Sequence, residues 1–190
     1  MTKRKVIVIT DGDRVAQQVV EQVAKNVGGR AVSLSGGNPT RVTGSQIAAA
    51  VKETPYDPVL VMVDDCGDSG MGSGETALEE LIRDPEIEIL GALAVASNTA
   101  HADGARVDAA VTRDWKVIGE PVDKEGLAEP AGHSRVEGDT TASLDRLKIP
   151  IVIGIGDLGK MDDADLVADG AVITTKAVQE ILRRSNFSDK

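Results

Sequence analysis

Four short apolar runs set what this chain can become: KVIVIT (residues 5–10), VLVMV (59–63), IEILGALAVA (87–96) and IPIVIGI (149–155). Each is rich in β-branched residues, too short for a core helix, and continuous rather than alternating. Strands have this pattern when both faces are buried, as in a parallel sheet covered by helices on two sides. The segments between them supply the helices. Asp13 can cap a helix whose Val15, Ala16, Val19, Val20, Val23 and Val27 recur at helical spacing, and Gly28-Gly29 ends it. Thr43 and Gln46 have capping-box spacing ahead of Ile47, Ala50 and Val51. Ser73 can cap a third helix carrying Leu78, Leu81 and Ile82, which Asp84-Pro85 stops. Residues 140–147 predict a short helix, and Ala177, Val178, Ile181 and Leu182 mark a last one. Residues 31–34 and 171–173 have the pattern of two further short strands.

The order predicts an α/β three-layer sandwich with a mostly parallel, Rossmann- or flavodoxin-like sheet of five or six strands. Residues 1–190 are expected to form a single domain. Residues 97–147 break the rhythm and predict an irregular insertion on the crossover to the last long strand. Within it, VDAAVTRDWKVIGEP (107–121) fits a small hairpin turning near Arg113-Asp114. The insertion is expected to be the least regular and most mobile region. Its Trp115 is either a docking residue or a cover for the end of the sheet. Trp115, Tyr56 and Phe187 are the only aromatics, so valine, isoleucine, leucine and alanine must fill the core.

Charge and cysteine usage narrow the function classes. A net charge of −10 repels phosphate backbones and argues against nucleic acid as a partner. Cys66 is the sole cysteine, which excludes an intramolecular disulfide and a Cys-based zinc site. The apolar run near the N-terminus is four residues long and fits a first strand rather than a signal peptide. No run approaches the roughly 20 residues that span a bilayer, so a soluble chain without direct membrane insertion is expected.

Ligands of open parallel sheets bind beyond the carboxyl ends of the strands. Here those ends carry Asp11 and Asp13, then SGGNPT (35–40), then Asp64, Asp65 and Asp68, then Ser97, Asn98 and His101, then Asp157 and Asp162. The candidate ligand-binding set is Asp11, Asp13, Asp64, Asp65, Asp68, Asn98 and Asp157. A hard oxygen-ligand cation, Ca²⁺ or Mg²⁺, suits such a set, with Asp11 and Asp64 as its expected ligands. Side chains alternate along a strand, so of Asp64 and Asp65 one should face the ligand edge and the other brace a loop. Asp64 is expected in the cleft. The plain alternative is that these aspartates are helix caps and Asx-turns.

Sharper chemistry has less support in the residues. DGDRV (11–15) has the D-x-D-x-[TV] spacing of haloacid-dehalogenase-like phosphohydrolases, with Asp11 as nucleophile, Asp13 as acid/base, Asp157 on Mg²⁺ and Lys148 as the lysine. That fold needs a flap hairpin after its first strand, where this chain places an amphipathic helix. Acids after the first and third strands also resemble the Toprim arrangement, without its glutamate or its D-x-D. Cys66 sits among carboxylates, which weaken a thiolate. His101 and His133 have no distinctive spacing, and GSGE (72–75) lacks the Gly-Lys-Ser/Thr of a P-loop. GGNPT (36–40) and GIGDLGK (154–160) could each cradle an anion. No catalytic residue is assigned.

Taken in order, VIVITDGD (6–13), GGNPT, DPVLVMVDDCGDSGMGSGET (57–76), EILGALAVAS (88–97), RVD (106–108), EGDT (137–140) and IPIVIGIGDLGKMDDAD with AVITTKAVQEIL (149–182) resemble stage V sporulation protein AE of spore-forming Firmicutes, in its small soluble form. The resemblance implies a role in sporulation and germination beside a membrane complex that moves calcium dipicolinate (dipicolinic acid) into the forming spore and out again. It implies membrane-embedded channel subunits as partners, and a forespore or spore location peripheral to the membrane. It carries no catalytic residues. Self-association stays open. Three readings follow: a non-enzymatic soluble accessory subunit with a ligand or cation at the strand ends, a metal-dependent phosphohydrolase, or a purely structural scaffold.

Overall fold

The computed structural model describes residues 2–67, 71–97, 104–138 and 140–187. Seven strands form one sheet: β1 (Arg4–Ile9), β2 (Arg30–Ala31), β3 (Val59–Met62), β4 (Ile87–Val95), β5 (Ala109–Val111), β6 (Val117–Ile118) and β7 (Val152–Ile155). The spatial order is β2-β3-β1-β4-β7-β5-β6, and every pairing is parallel except β5–β6. Helices α1 (Arg14–Asn26), α2 (Gly44–Glu53), α3 (Ser73–Arg83), α4 (Thr141–Arg146) and α5 (Val172–Arg184) cover both faces. The chain is thus α/β with a mostly parallel sheet between two helical layers.

Alternation along β1 explains the layering. Ile7 and Ile9 pack with α1 and α5 in one cluster, while Val6 and Val8 pack with α2, α3 and Leu144 of α4 in the other. Val19 and Val23 of α1 are fully buried, as the apolar stripe requires. Each such side chain contributes about 1.5–3 kcal/mol relative to exposure. The first helix starts where Asp13 accepts the Ala16 N–H at 2.8 Å, and α2 starts on a complete Thr43–Gln46 capping box.

Several local expectations change. The second strand is only Arg30–Ala31, because a 3₁₀ turn over Ser33–Ser35 takes up the residues after it. Residues 171–173 are not a strand: Ala171 is left-handed at φ 51° and α5 begins at Val172. Ser73 does not cap α3, since Gly72 holds the cap position and Asp65 supplies the oxygen. The hairpin is present as β5–β6, but β5 also pairs with β7 and extends the main sheet, so the strand count is seven rather than five or six. Trp115 stands in the hairpin turn, 58 % exposed, and does not cover the sheet.

Candidate functional site

β1 is flanked by β3 and β4, and the chain leaves β1 toward β2 on one side but leaves β4 toward β7 on the other. That reversal opens a crevice at the carboxyl ends of these strands, where ligands of such sheets bind. A cavity of about 150 Å³ lies there, lined by Thr10, Asp11 and Asp13 after β1, Asp64 after β3, Ser97 after β4, and Asp157 and Lys160 after β7.

Each carboxylate is held differently. Asp64 is 3 % exposed and accepts the Gly12 N–H at 3.1 Å and the Cys66 N–H at 2.8 Å. Its own backbone is fixed by Thr40, whose Oγ1 accepts the Asp64 N–H at 2.8 Å and whose N–H donates to the Asp64 carbonyl at 2.9 Å. Gly12 must be glycine for space: a Cβ there would stand 2.5 Å from the Gly37 carbonyl oxygen. The GGNPT loop is therefore laid directly on the end of β1. Asp13 caps α1 with one oxygen and accepts Lys160 Nζ with the other at 3.2 Å. Asp157 receives the same ammonium at 3.1 Å on both oxygens. Lys160 thus ties the start of α1 to the loop after β7. Burial opposes its charge, but the carboxylates of Asp157 and Asp13 outweigh this and hold its pKa above the ordinary lysine range.

Asp11 has the least support. Its side chain accepts only a long bond, 3.3 Å, from the Asp13 N–H among the described residues. Burial, then the charge of Asp13, and further the charges of Asp64 and Asp157, push its carboxyl up to about 7, with the Asp13 N–H pulling the other way. Burial raises Asp157 as well, partly offset by Lys160. Near neutral pH the cavity therefore holds a carboxyl that exchanges a proton with little cost. It can donate a hydrogen bond when protonated or meet a cation when ionised.

Of the expected set, Asp11, Asp13, Asp64 and Asp157 come together. Asp65 does not: its Oδ1 accepts the Gly74 N–H at 2.6 Å and the Glu75 N–H at 3.2 Å, and its Oδ2 accepts the Thr140 hydroxyl at 2.6 Å. It braces α3, as alternation along a strand demands of one member of the pair. Asp68, Asn98 and His101 lie outside the described residues. Asp162 pairs with Arg113 away from the cavity. Lys160 was not among the expected site residues, although GIGDLGK had marked its loop and its i,i+3 spacing from Asp157 was visible. Lys148 cannot serve a phosphohydrolase centre at Asp11, because it precedes β7 and so stands at the opposite edge of the sheet. Asp157 follows β7, which is separated from β1 by β4.

Among the described residues, no group of three or more His, Cys, Asp and Glu is arranged to hold a metal ion. Lys160 already serves Asp13 and Asp157, and Asp64 holds the Gly12 and Cys66 N–H groups, so of the two expected cation ligands, Asp11 and Asp64, Asp11 is the less engaged. Two carboxylates fall short of the six to eight oxygens Ca²⁺ takes. No described helix is long and apolar enough to cross a membrane.

Comparison with curated proteins and with solved structures finds no match. A family profile does match, over residues 5–185, and it spans β1 to the last turn of α5 with every element of the cavity inside it. The chain belongs to the stage V sporulation protein AE1 family.

Proposed function

We propose that this protein is a non-enzymatic accessory subunit of a sporulation membrane complex handling calcium dipicolinate, and that the strand-end cavity meets the calcium chelate. The family gives the sporulation role. The observation that carries the finer reading is Asp11: a partly buried carboxyl with a pKa of about 7, beside Asp64, at the switch point of the sheet. Chelated calcium brings donors of its own and needs one or two protein carboxylates to complete its shell. Ionised Asp11, next to Asp64, provides that much and no more. The membrane partner is met through the hairpin of the 97–147 segment, where Trp115 is exposed.

Calorimetric titration with Ca²⁺, Mg²⁺, dipicolinate and calcium dipicolinate tests the ligand. The chelate should bind more tightly than either component, and Asp11→Asn/Asp64→Asn should lose that preference. Equal weak binding of all four, unchanged in the double variant, would leave these aspartates as caps. Turnover of a phosphoester panel with Mg²⁺ that disappears in Asp11→Asn would replace this reading with an enzymatic one.

A further inference from the structure

A second cleft, about 530 Å³, lies at the amino-terminal edge of β5 and β7, the edge opposite the acidic cavity. Arg106, Arg135 and Lys148 line it, against two acids, Asp108 and Asp145. Both acids are committed to holding the walls. Asp108 accepts the Val152 N–H at 2.8 Å. Asp145 accepts the Arg106 backbone N–H at 3.2 Å and Arg135 Nη1 at 2.8 Å. The Arg106 guanidinium and the Lys148 ammonium, by contrast, have no hydrogen-bond or ion-pair partner among the described residues. In a chain of net charge −10, this cleft carries one more cation than acid, and two of its three cations, Arg106 and Lys148, are left unengaged among the described residues while Arg135 is held by Asp145. Part of the wall is apolar: Leu144, Ile149 and Pro150.

Lys148 is held there by an unusual backbone. After α4 the Lys148 N–H donates to the Asp145 carbonyl and the Ile149 N–H to the Leu144 carbonyl, a helix-ending turn whose left-handed position ordinarily holds glycine. Lys148 occupies it at φ 54°. Glycine would fold more easily at this position, and only the lysine side chain gives the residue its charge. A backbone outlier of this kind, in a cleft, is grounds for assigning the side chain a task.

We propose that this cleft is a binding site for a small dianion bearing carboxylate or phosphate groups, with Arg106 and Lys148 as its charge partners and the apolar wall against the body of the ligand. Guanidinium is suited to two-pronged contact with either group, and ammonium to a point contact. The site is independent of the acidic cavity and of the ligand proposed for it.

Inorganic phosphate and succinate are the two probes, titrated separately into the ¹⁵N-labelled full chain at low salt, and the one that binds more tightly identifies the anionic group. The expected result is saturable movement of the Arg106, Lys148 and Ile149 amides at millimolar probe, weakening as salt is added. Arg106→Gln/Lys148→Gln should weaken binding at least tenfold with the melting temperature kept, because neither side chain makes a bond in the fold. Lys148→Gly should raise the melting temperature and still weaken binding, which separates the ligand role from a structural one. Unsaturated movement scattered over the surface, saturable movement confined to the Lys160 end, or binding unchanged in the double variant would each overturn the proposal.

Discussion

At Asp11 a single carboxyl sets a pH dependence whose sign follows from its surroundings. Its pKa rises from 3.8 to about 7 on folding, chiefly through burial, so the folded chain binds this proton more tightly than the unfolded chain does. Stability from this group is fully present below pH 4 and is lost as pH rises through 7. Unscreened, such a rise corresponds to about 4 kcal/mol, and a carboxyl that keeps some contact with solvent should show about 2 kcal/mol. Asp11→Asn is therefore expected to be more stable than the parent at pH 8, with the difference closing toward pH 4. Denaturant melts across that range measure it, and a parent that gains stability on going from pH 5 to 8 relative to the variant contradicts it. Asp165 matters through its hydrogen bonds instead. It is fully buried and accepts the Ile173 and Thr174 N–H groups at 2.8 and 3.1 Å and the Thr174 hydroxyl at 2.5 Å. Asp165→Ala strands these donors and should cost about 3–5 kcal/mol, read as a lowered denaturation midpoint with an unchanged slope.

Among elements, α3 and α5 share a device that local sequence rules miss. Neither N-cap side chain caps its own helix: Gly72 has none, and Ala171 has no polar atom. The oxygens come from Asp65 and Asp165, eight to ten residues upstream of the amides they hold. Capping rules look at the residue next to the helix, and so they pointed to Ser73. The expectation that some strand-end acids act as caps was sound for Asp65 and Asp13, while the particular partner depended on how a loop closes. Gly74 shows how tight that closure is, since a Cβ there would meet the Asp64 backbone nitrogen at 2.6 Å. Gly74→Ala should push α3 off the end of β3 and cost about 1–3 kcal/mol by overpacking. It should also perturb Asp64 and with it any ligand response of the cavity. A variant with parental stability and a parental response would mean that the close approach is easily relaxed. The long strands and the amphipathic helices were legible because periodicity is local. The two-residue β2 and the helical start at Val172 were not, because a short apolar run fits either structure until its neighbours are placed.

For the whole molecule, the parallel sheet and its helical layers followed from the alternation of buried runs and stripes, but the strand order did not. No periodicity tells β3 to sit between β2 and β1, and that order decides which acids meet. Asp11 and Asp64 are neighbours because β1 pairs with β3, and Asp157 is tied to Asp13 beside them through the Lys160 bridge rather than through strand pairing. The exposed hairpin turn makes a separate prediction. Trp115→Ala should leave the melting temperature within about 0.5 kcal/mol-equivalent of the parent, because the ring is mostly in solvent. Recovery of membrane partners by the tagged protein from sporulating cells should fall severalfold. Full recovery with the variant would remove the hairpin from the docking surface.

The central position of β1 also dictates how the chain has to assemble. It is the first of the seven strands in chain order, yet its partners are β3, reached from Val6 to Val59, and β4, reached from Ile9 to Leu93. Until those segments have been synthesised, the buried apolar residues Val6–Ile9 of this central strand have no neighbour. Loop closure over such separations must precede any pairing that rewards it, which places folding toward the slow end of the range, about milliseconds to seconds. A nascent chain halted before β4 exposes β1 and β3 together on an unfinished edge, the kind of surface that chaperones hold and that aggregates when they do not. Truncation after residue 83 should accordingly give an insoluble product rather than a smaller folded one.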